Sequence, residues 1–163
     1  MLGDARVEVK EKVKNLGIIM EKNLSFNKQV NETCKKLATL AIRSIGRIRK
    51  YLPYDGLKML LNHLVISRFD YCNSLLYGIP KYQRDKLQRI QNTAARLVTG
   101  SRRSDHITPI LKDLHWLPVE ERINFKIPLI TYKILHGQSP KYLESLIEEY
   151  SPSRTLMRSS KRS

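Results

Sequence analysis

Hydrophobic positions along the chain follow two periods, and the change between them falls near residue 25. Within residues 5–20 apolar and polar side chains alternate, and the apolar members are Val7, Val9, Val13, Leu16 and Ile18. A period of two is typical of β-strands. We therefore predict two short strands, a β-hairpin, with a charged turn near residues 10–12.

From Ser25 onward apolar residues recur every three or four positions, which is the helical period. The first such stripe predicts a long helix that ends at Pro53, and its members are Phe26, Val30, Cys34, Leu37, Ala41, Ile45, Ile48 and Leu52. A second stripe, from Leu57 to Leu76, predicts another helix. A third helix follows Pro80, with Gly100 as its C-terminal cap and a core face made of Leu87, Ile90, Ala94 and Leu97.

The last third of the chain predicts shorter helices after a basic loop at residues 101–106. One ends near Leu114, and the next opens at Pro118 and closes at Gly137. Pro128 lies inside that helix and predicts a kink or break. The predicted fold is mostly α: a helical bundle with a short N-terminal β-hairpin and a disordered basic tail at residues 151–163.

Trp116, the only tryptophan, lies between two of these predicted helices. Its neighbours in sequence are Leu114, Leu117 and Pro118, which do not form a basic groove. Large aromatic side chains at helix junctions commonly fill the core and find a partner for their N–H. We expect Trp116 to be a buried wedge with a partnered N–H, and not a stacking platform.

Positive charge is concentrated in three stretches of this 163-residue chain, whose net charge is +15. Residues 35–50 hold six basic side chains and no acid, residues 81–103 hold seven against one aspartate, and the tail holds four. Segregated charge of this kind favours a polyanionic partner, because cations release counterions from phosphate backbones. A solubilising surface, or attraction to acidic lipid headgroups, remains an alternative.

The sequence gives little support for a membrane protein, a secreted protein or an enzyme. The apolar runs are too short for a membrane span, no signal peptide is visible, and two cysteines form no disulfide framework. We therefore expect an intracellular protein, in the nucleus or the cytoplasm. Histidines and cysteines are scattered, phosphate-cradling glycine motifs are missing, and no aspartates cluster as two-metal catalysis requires. We expect no catalytic residues, no metal site and no cofactor in this chain.

Five phrases in order resemble non-LTR retrotransposon (LINE) reverse transcriptases of the Jockey-like kind, in the part downstream of the catalytic palm. They are KNLGIIMEKNLSF, RFDYCNSLLYGIP, KLQRIQNTAARLVTG, LHWLPVEERINFK and YKILHGQSPKYL. The resemblance extends over roughly residues 13–146. It implies a palm remnant at residues 1–24, a thumb-like three-helix region at 25–100, a C-terminal helical region at 101–150 and the tail at 151–163.

The resemblance also implies roles for particular residues and partners. Lys14, Leu16 and Gly17 correspond to the hairpin called the primer grip, and the thumb helices clamp the RNA template and the growing DNA strand. The polymerase's catalytic aspartates, which would use Mg²⁺, belong to a palm that this chain lacks, together with the fingers. Pro128 departs from the family, in which that helical stretch is usually unbroken.

Charge and resemblance together predict sequence-tolerant binding of an RNA template, an RNA–DNA hybrid or a DNA primer. Gripping a duplex without reading its bases calls for cations that reach phosphates. The candidates lie on the first and third helices and the loop after the third: Lys36, Arg43, Arg47, Lys50, Arg89, Arg96, Arg102 and Arg103. Two alternatives stay open, a host-encoded helical protein-interaction module and an unrelated small basic nucleic-acid-binding domain.

Overall fold

The fold comes from a computed structural model, which describes residues 10–147 apart from the side chains of residues 39–41. It is mostly helical, with one two-stranded hairpin, as predicted. The chain divides into two compact units, Met1–Ile127 and Pro128–Ser163. Val7 and Val9, and the tail at residues 151–163, lie outside the described residues.

The hairpin pairs β1 (Lys12–Asn15) with β2 (Ile18–Glu21) in antiparallel register, Asn15 opposite Ile18. Its turn is formed by Leu16 (φ 46°) and Gly17 (φ 85°). Two residues with positive φ match the twist of a two-residue hairpin turn. The predicted turn at residues 10–12 is therefore wrong, since Lys12 already lies in a strand. The alternating pattern predicted two strands, but it did not show which residues pair across the hairpin.

A continuous first helical segment occupies residues 27–51. It consists of α1 (Asn27–Lys36), a π-helical stretch (Leu37–Ile42), α2 (Arg43–Ile48) and a 3₁₀ turn (Arg49–Tyr51). The predicted stripe faces the core through Val30, Leu37 and Ile45. Pro53 then takes an extended conformation and separates this segment from the next.

The second helical segment occupies residues 54–70 and stops earlier than predicted. It comprises α3 (Tyr54–Leu61), a π-helical stretch (Asn62–Ile66) and α4 (Ser67–Asp70). Cys72 adopts φ 52°, which ends the helix, and only a 3₁₀ turn (Asn73–Leu76) follows. A left-handed cysteine carries no local sequence signal, because this conformation is rare outside glycine and asparagine.

The remaining helices are α5 (Lys81–Thr99), α6 (Ile107–Asp113), α7 (Val119–Leu135) and α8 (Lys141–Glu144). Gly100 caps α5 at φ 75°, as predicted. Pro128 lies inside α7, whose bounds continue past it, so the alternative of a helix that ends at this proline is wrong.

Three glutamines, of which Gln83 and Gln91 are buried and Gln88 is half-buried, join α5 to its neighbours in the first unit. The Gln83 side-chain amide donates to Asn27 Oδ1 (2.6 Å), and that of Gln91 donates to the Leu117 carbonyl (2.8 Å). Gln88 Oε1 accepts from the backbone N–H of Val119 (2.8 Å). Burying an amide without a partner would be costly, so these bonds determine how α5 sits against the segments before and after it.

Trp116 is buried, 5% exposed, in the same core as Leu111, Leu114 and Ile123. This confirms the predicted wedge between α6 and α7. The predicted partner for its N–H is absent among the described residues, where the buried Nε1 has no hydrogen bond. The core therefore holds the indole through its apolar surface.

Candidate nucleic-acid interface

The first helical segment and α5 run parallel, side by side. Near their starts, Asn27 Oδ1 accepts from the Tyr82 hydroxyl (2.7 Å), and Asn31 Oδ1 accepts from Lys86 Nζ (2.9 Å). Near their ends, a Cβ on Gly46 would lie 4.0 Å from Leu97 Cδ1. The two chain segments therefore begin together and end together.

Their common C-terminal end is where the Arg49 side chain meets Gly100. A Cβ at Gly100 would lie 2.6 Å from Arg49 Nη2, so the guanidinium rests directly on the glycine that caps α5. Carbonyl groups at helix C-termini carry partial negative charge, and cations there are stabilising. Arg49 therefore stabilises the junction as well as adding to its charge.

Arg96 is also engaged within the structure. Its Nε donates to the carbonyl of Arg102 (3.2 Å) and its Nη2 to that of Asp105 (3.1 Å), which fastens the loop after α5. Asp105 in turn accepts from the backbone N–H of Arg102 (2.7 Å). The loop is thus an organised turn, and Arg96, predicted as a phosphate contact, has a structural role in addition.

Besides Arg49 and the half-buried Arg96, five cations at this end are exposed. Within residues 10–147 none of them forms an ion pair, and we call this set the basic end: Arg43, Arg47, Lys50, Arg102 and Arg103. The first three lie on one helical face at spacings of four and three. The other two project from the loop that Arg96 holds. The packing of Arg49 on Gly100 brings these two groups to the same end of the helix pair.

Two predicted cations lie elsewhere. Lys36 Nζ pairs with Glu32 at 2.5 Å, and the hydrogen bond from Lys36 lowers the pKa of that carboxyl. Arg89 is exposed in the middle of α5, about 16 Å along the helix from Gly100. Neither side chain joins the basic end.

The hairpin residues form a separate surface at the opposite end of the first helical segment. The Ile19 N–H donates to Gln29 Oε1 (2.9 Å), and the Tyr71 hydroxyl donates to the Leu16 carbonyl (2.5 Å). Leu16 is 83% exposed and Lys14 is exposed in β1. Leu16 and Gly17 help to line a groove of about 480 Å³ that also contains Lys36 and Arg68. The residues predicted as primer-grip-like are therefore not adjacent to the basic end.

The sequence did not single out Arg49 among the binding candidates. Its contact lies 51 residues away at Gly100, and no local pattern announces such a pairing. Among residues 10–147 no group of three or more His, Cys, Asp or Glu side chains could hold a metal ion. No described helix is long and apolar enough to cross a membrane.

Comparison with known proteins yielded no match: no protein-family profile, no curated protein and no solved structure is significantly similar to the chain.

Proposed function

We propose that the chain is the thumb and C-terminal helical region of a non-LTR retrotransposon reverse transcriptase, and that it binds template–primer nucleic acid without sequence preference. The observation that carries the proposal is the basic end. Exposed cations from two stretches separated by some fifty residues lie at the same end of the helix pair, and none of their side chains forms an ion pair in the described part of the chain.

Phosphate contact is the chemistry that such a surface supports. Arginines 43 and 47 and Lys50 stand on one helical face, and a face of this kind can follow a backbone of regularly spaced charges. Recognition of base edges would require side chains placed in a groove of the duplex, and this exposed helical face does not present such an arrangement. We therefore propose binding by shape and charge, with the RNA–DNA hybrid as the preferred duplex.

The five phrases that resemble the reverse transcriptases support the same assignment from the sequence alone. The proposed partners are the RNA template, the DNA primer and the missing palm and fingers of the parent polymerase. Catalysis, and the Mg²⁺ that it uses, would belong to that palm.

Charge reversal tests the proposal. Arg43→Glu with Arg47→Glu should weaken binding of a labelled RNA–DNA hybrid in fluorescence anisotropy by the same factor for unrelated sequences. The matched control is Lys81→Glu with Lys112→Glu, an equal change in charge at the other end of α5 and on α6. Both control lysines are exposed and, among the described residues, unpaired.

A larger loss in the first variant than in the control supports the basic end as the binding surface. Equal losses would mean that only net charge matters. Absence of binding by the parent chain at low salt would reject the proposal, and a protein-interaction module would then be the better account.

A further inference from the structure

Exposed tyrosines are a consistent feature of the described residues. Each of the seven tyrosines among them is at least half exposed: Tyr51, Tyr54, Tyr71, Tyr77, Tyr82, Tyr132 and Tyr142. Two of these, Tyr51 and Tyr54, lie where the first helical segment ends and the second begins. They are therefore the tyrosines next to the basic end.

Tyr51 is 73% exposed and is the last residue of the first helical segment. Its backbone is fixed by the 3₁₀ turn, in which the Leu52 N–H donates to the Arg49 carbonyl (3.1 Å). Leu52 packs against the core, and Pro53 follows in an extended conformation. The phenol ring is thus carried outward from a well-anchored turn.

Lys50 lies beside that ring, with Nζ 4.8 Å from its centroid. A cation over an aromatic face is held by the ring's quadrupole. An aromatic ring has two faces, and Lys50 lies over one face of the Tyr51 ring. The opposite face is left for another planar group. The Lys50 ammonium is exposed, so it can also pair with an anion beside the group that stacks on the ring.

Exposed apolar side chains and cations interleave over residues 47–54. Ile48, Tyr51 and Tyr54 are exposed, and Arg47, Arg49 and Lys50 lie between and before them. Asp55, in the first turn of α3, is the one acid in residues 43–55. A ligand that fits must combine a flat apolar ring with a nearby negative charge. An unpaired nucleotide has both.

We propose that Tyr51 is a stacking platform for an unpaired base of a strand whose phosphates lie on the basic end. The inference rests on the proposed function and adds to it a preference for hybrid that continues into a single strand. Every base has a π-face, so stacking keeps the sequence tolerance that phosphate contacts give.

The experiment compares three labelled probes at equal salt: a blunt RNA–DNA hybrid, the hybrid with a five-nucleotide dT overhang, and the hybrid with a five-residue abasic overhang. The abasic overhang keeps the phosphates and removes the bases. One stacked base contributes about 1–3 kcal/mol, so the dT overhang should bind about 5- to 150-fold more tightly than the abasic one.

Variants assign that difference to the ring. Tyr51→Ala should abolish the preference for the dT over the abasic overhang, whereas Tyr51→Phe should keep it. Tyr77→Ala is the control, since Tyr77 is similarly exposed (64%, against 73% for Tyr51) and none of the described cations lies over its ring. Far-ultraviolet circular dichroism confirms that each variant is folded.

The outcomes separate the two proposals. If blunt hybrid binds but the two overhangs bind alike, the stacking platform is wrong and the proposed function stands. If Tyr51→Ala keeps the preference, the platform is likewise wrong. If no probe binds at low salt, the proposed function fails and the platform fails with it.

Discussion

The guanidinium of Arg49 lies on Gly100, with Nη2 2.6 Å from the position that a Cβ would take there. This contact joins the end of the first helical segment to the end of α5. Both residues also sit beside the exposed cations of the basic end. Because the glycine has no side chain, the arginine can approach the last carbonyls of α5, where its charge is favourable.

Substitution of Gly100 should destabilise the chain in two ways. Gly100→Ala places a side chain at φ 75°, which costs about 1–2 kcal/mol for an L-residue, and it also displaces the Arg49 guanidinium. Gly78→Ala is the matched control, since Gly78 has φ 78° and nothing within 4 Å of its Cβ position. Chemical denaturation should show a loss for Gly100→Ala that is larger by only about 0.3–1 kcal/mol, because the group that moves is the end of a flexible side chain and what is lost is its interaction with the helix end.

The excess loss should disappear when both glycine variants are made in an Arg49→Ala background. An excess that persists there would mean that Arg49 is not the neighbour that matters.

Periodicity predicted the helices well where burial alone decides the pattern. Val30, Leu37 and Ile45 are buried as the first stripe required, and Gly100 ends α5 as a C-cap should. It failed where the backbone takes a conformation that the sequence does not signal, or where a distant partner decides. Cys72 breaks the second segment, and Leu16 turns the hairpin while its carbonyl is held by Tyr71, 55 residues away.

The core face of α5 shows the same limit. The sequence pattern placed Ile90 and Leu97 inside, but both are half-buried, whereas Gln83 and Gln91 are fully enclosed. Gln91 is buried because its amide reaches the Leu117 carbonyl. A polar residue that satisfies a distant backbone group cannot be recognised from its own neighbours in sequence.

The candidate interface was predicted in part. Arginines 43 and 47 and Lys50 are exposed, and the packing of α5 places Arg102 and Arg103 at the same end of the helix pair. Arg96 and Lys36 were chosen for their charge, yet each already has a partner within the chain. Charge patterning finds basic residues, but only the fold shows which remain free.

Truncation of Trp116 should cost about 3–5 kcal/mol, as large-to-small changes in a packed core do. Trp116→Phe should cost less than Trp116→Ala, because a phenyl ring leaves a much smaller cavity in the core. Neither variant loses a hydrogen bond to a described residue, since the indole N–H has none there. Urea unfolding followed by circular dichroism measures both. An emission maximum of the parent chain typical of solvent-exposed indole would contradict the buried position.

The hairpin should loosen from the first helical segment in acid. The backbone N–H of Lys28 and the Ser25 hydroxyl donate to Glu21, and these bonds lower the pKa of its carboxyl below the usual 4.5. A lowered folded pKa means that the stabilisation is complete above the unfolded pKa and is lost as pH falls through the folded value. Stability should therefore drop below about pH 4.5, more steeply in the parent chain than in Glu21→Gln.

Hydrogen exchange of the Lys28 amide between pH 5 and pH 3, corrected for the intrinsic rate, reports this contact directly. Glu11→Gln, which leaves both donors in place, should follow the parent profile. Identical profiles for the parent and Glu21→Gln would contradict the assigned role.

The isolated chain should not extend a primer. No adjacent aspartates are present in its sequence, and two-metal phosphoryl transfer requires clustered carboxylates. Incubation with a primed RNA template, dNTPs and Mg²⁺ should give no product above a heat-inactivated control. Extension by the pure chain would contradict this prediction and would show that the chain contributes catalysis as well as binding.

The dependence of hybrid affinity on salt tests the central claim most directly, because it counts phosphate contacts. Each contact adds about 0.9 to the slope of log K against log salt, so five to eight contacts at and around the basic end predict a slope near −5 to −7. Arg43→Glu with Arg47→Glu should reduce its magnitude by about two. A slope that stays unchanged in that variant, or binding that is insensitive to salt, would contradict the account.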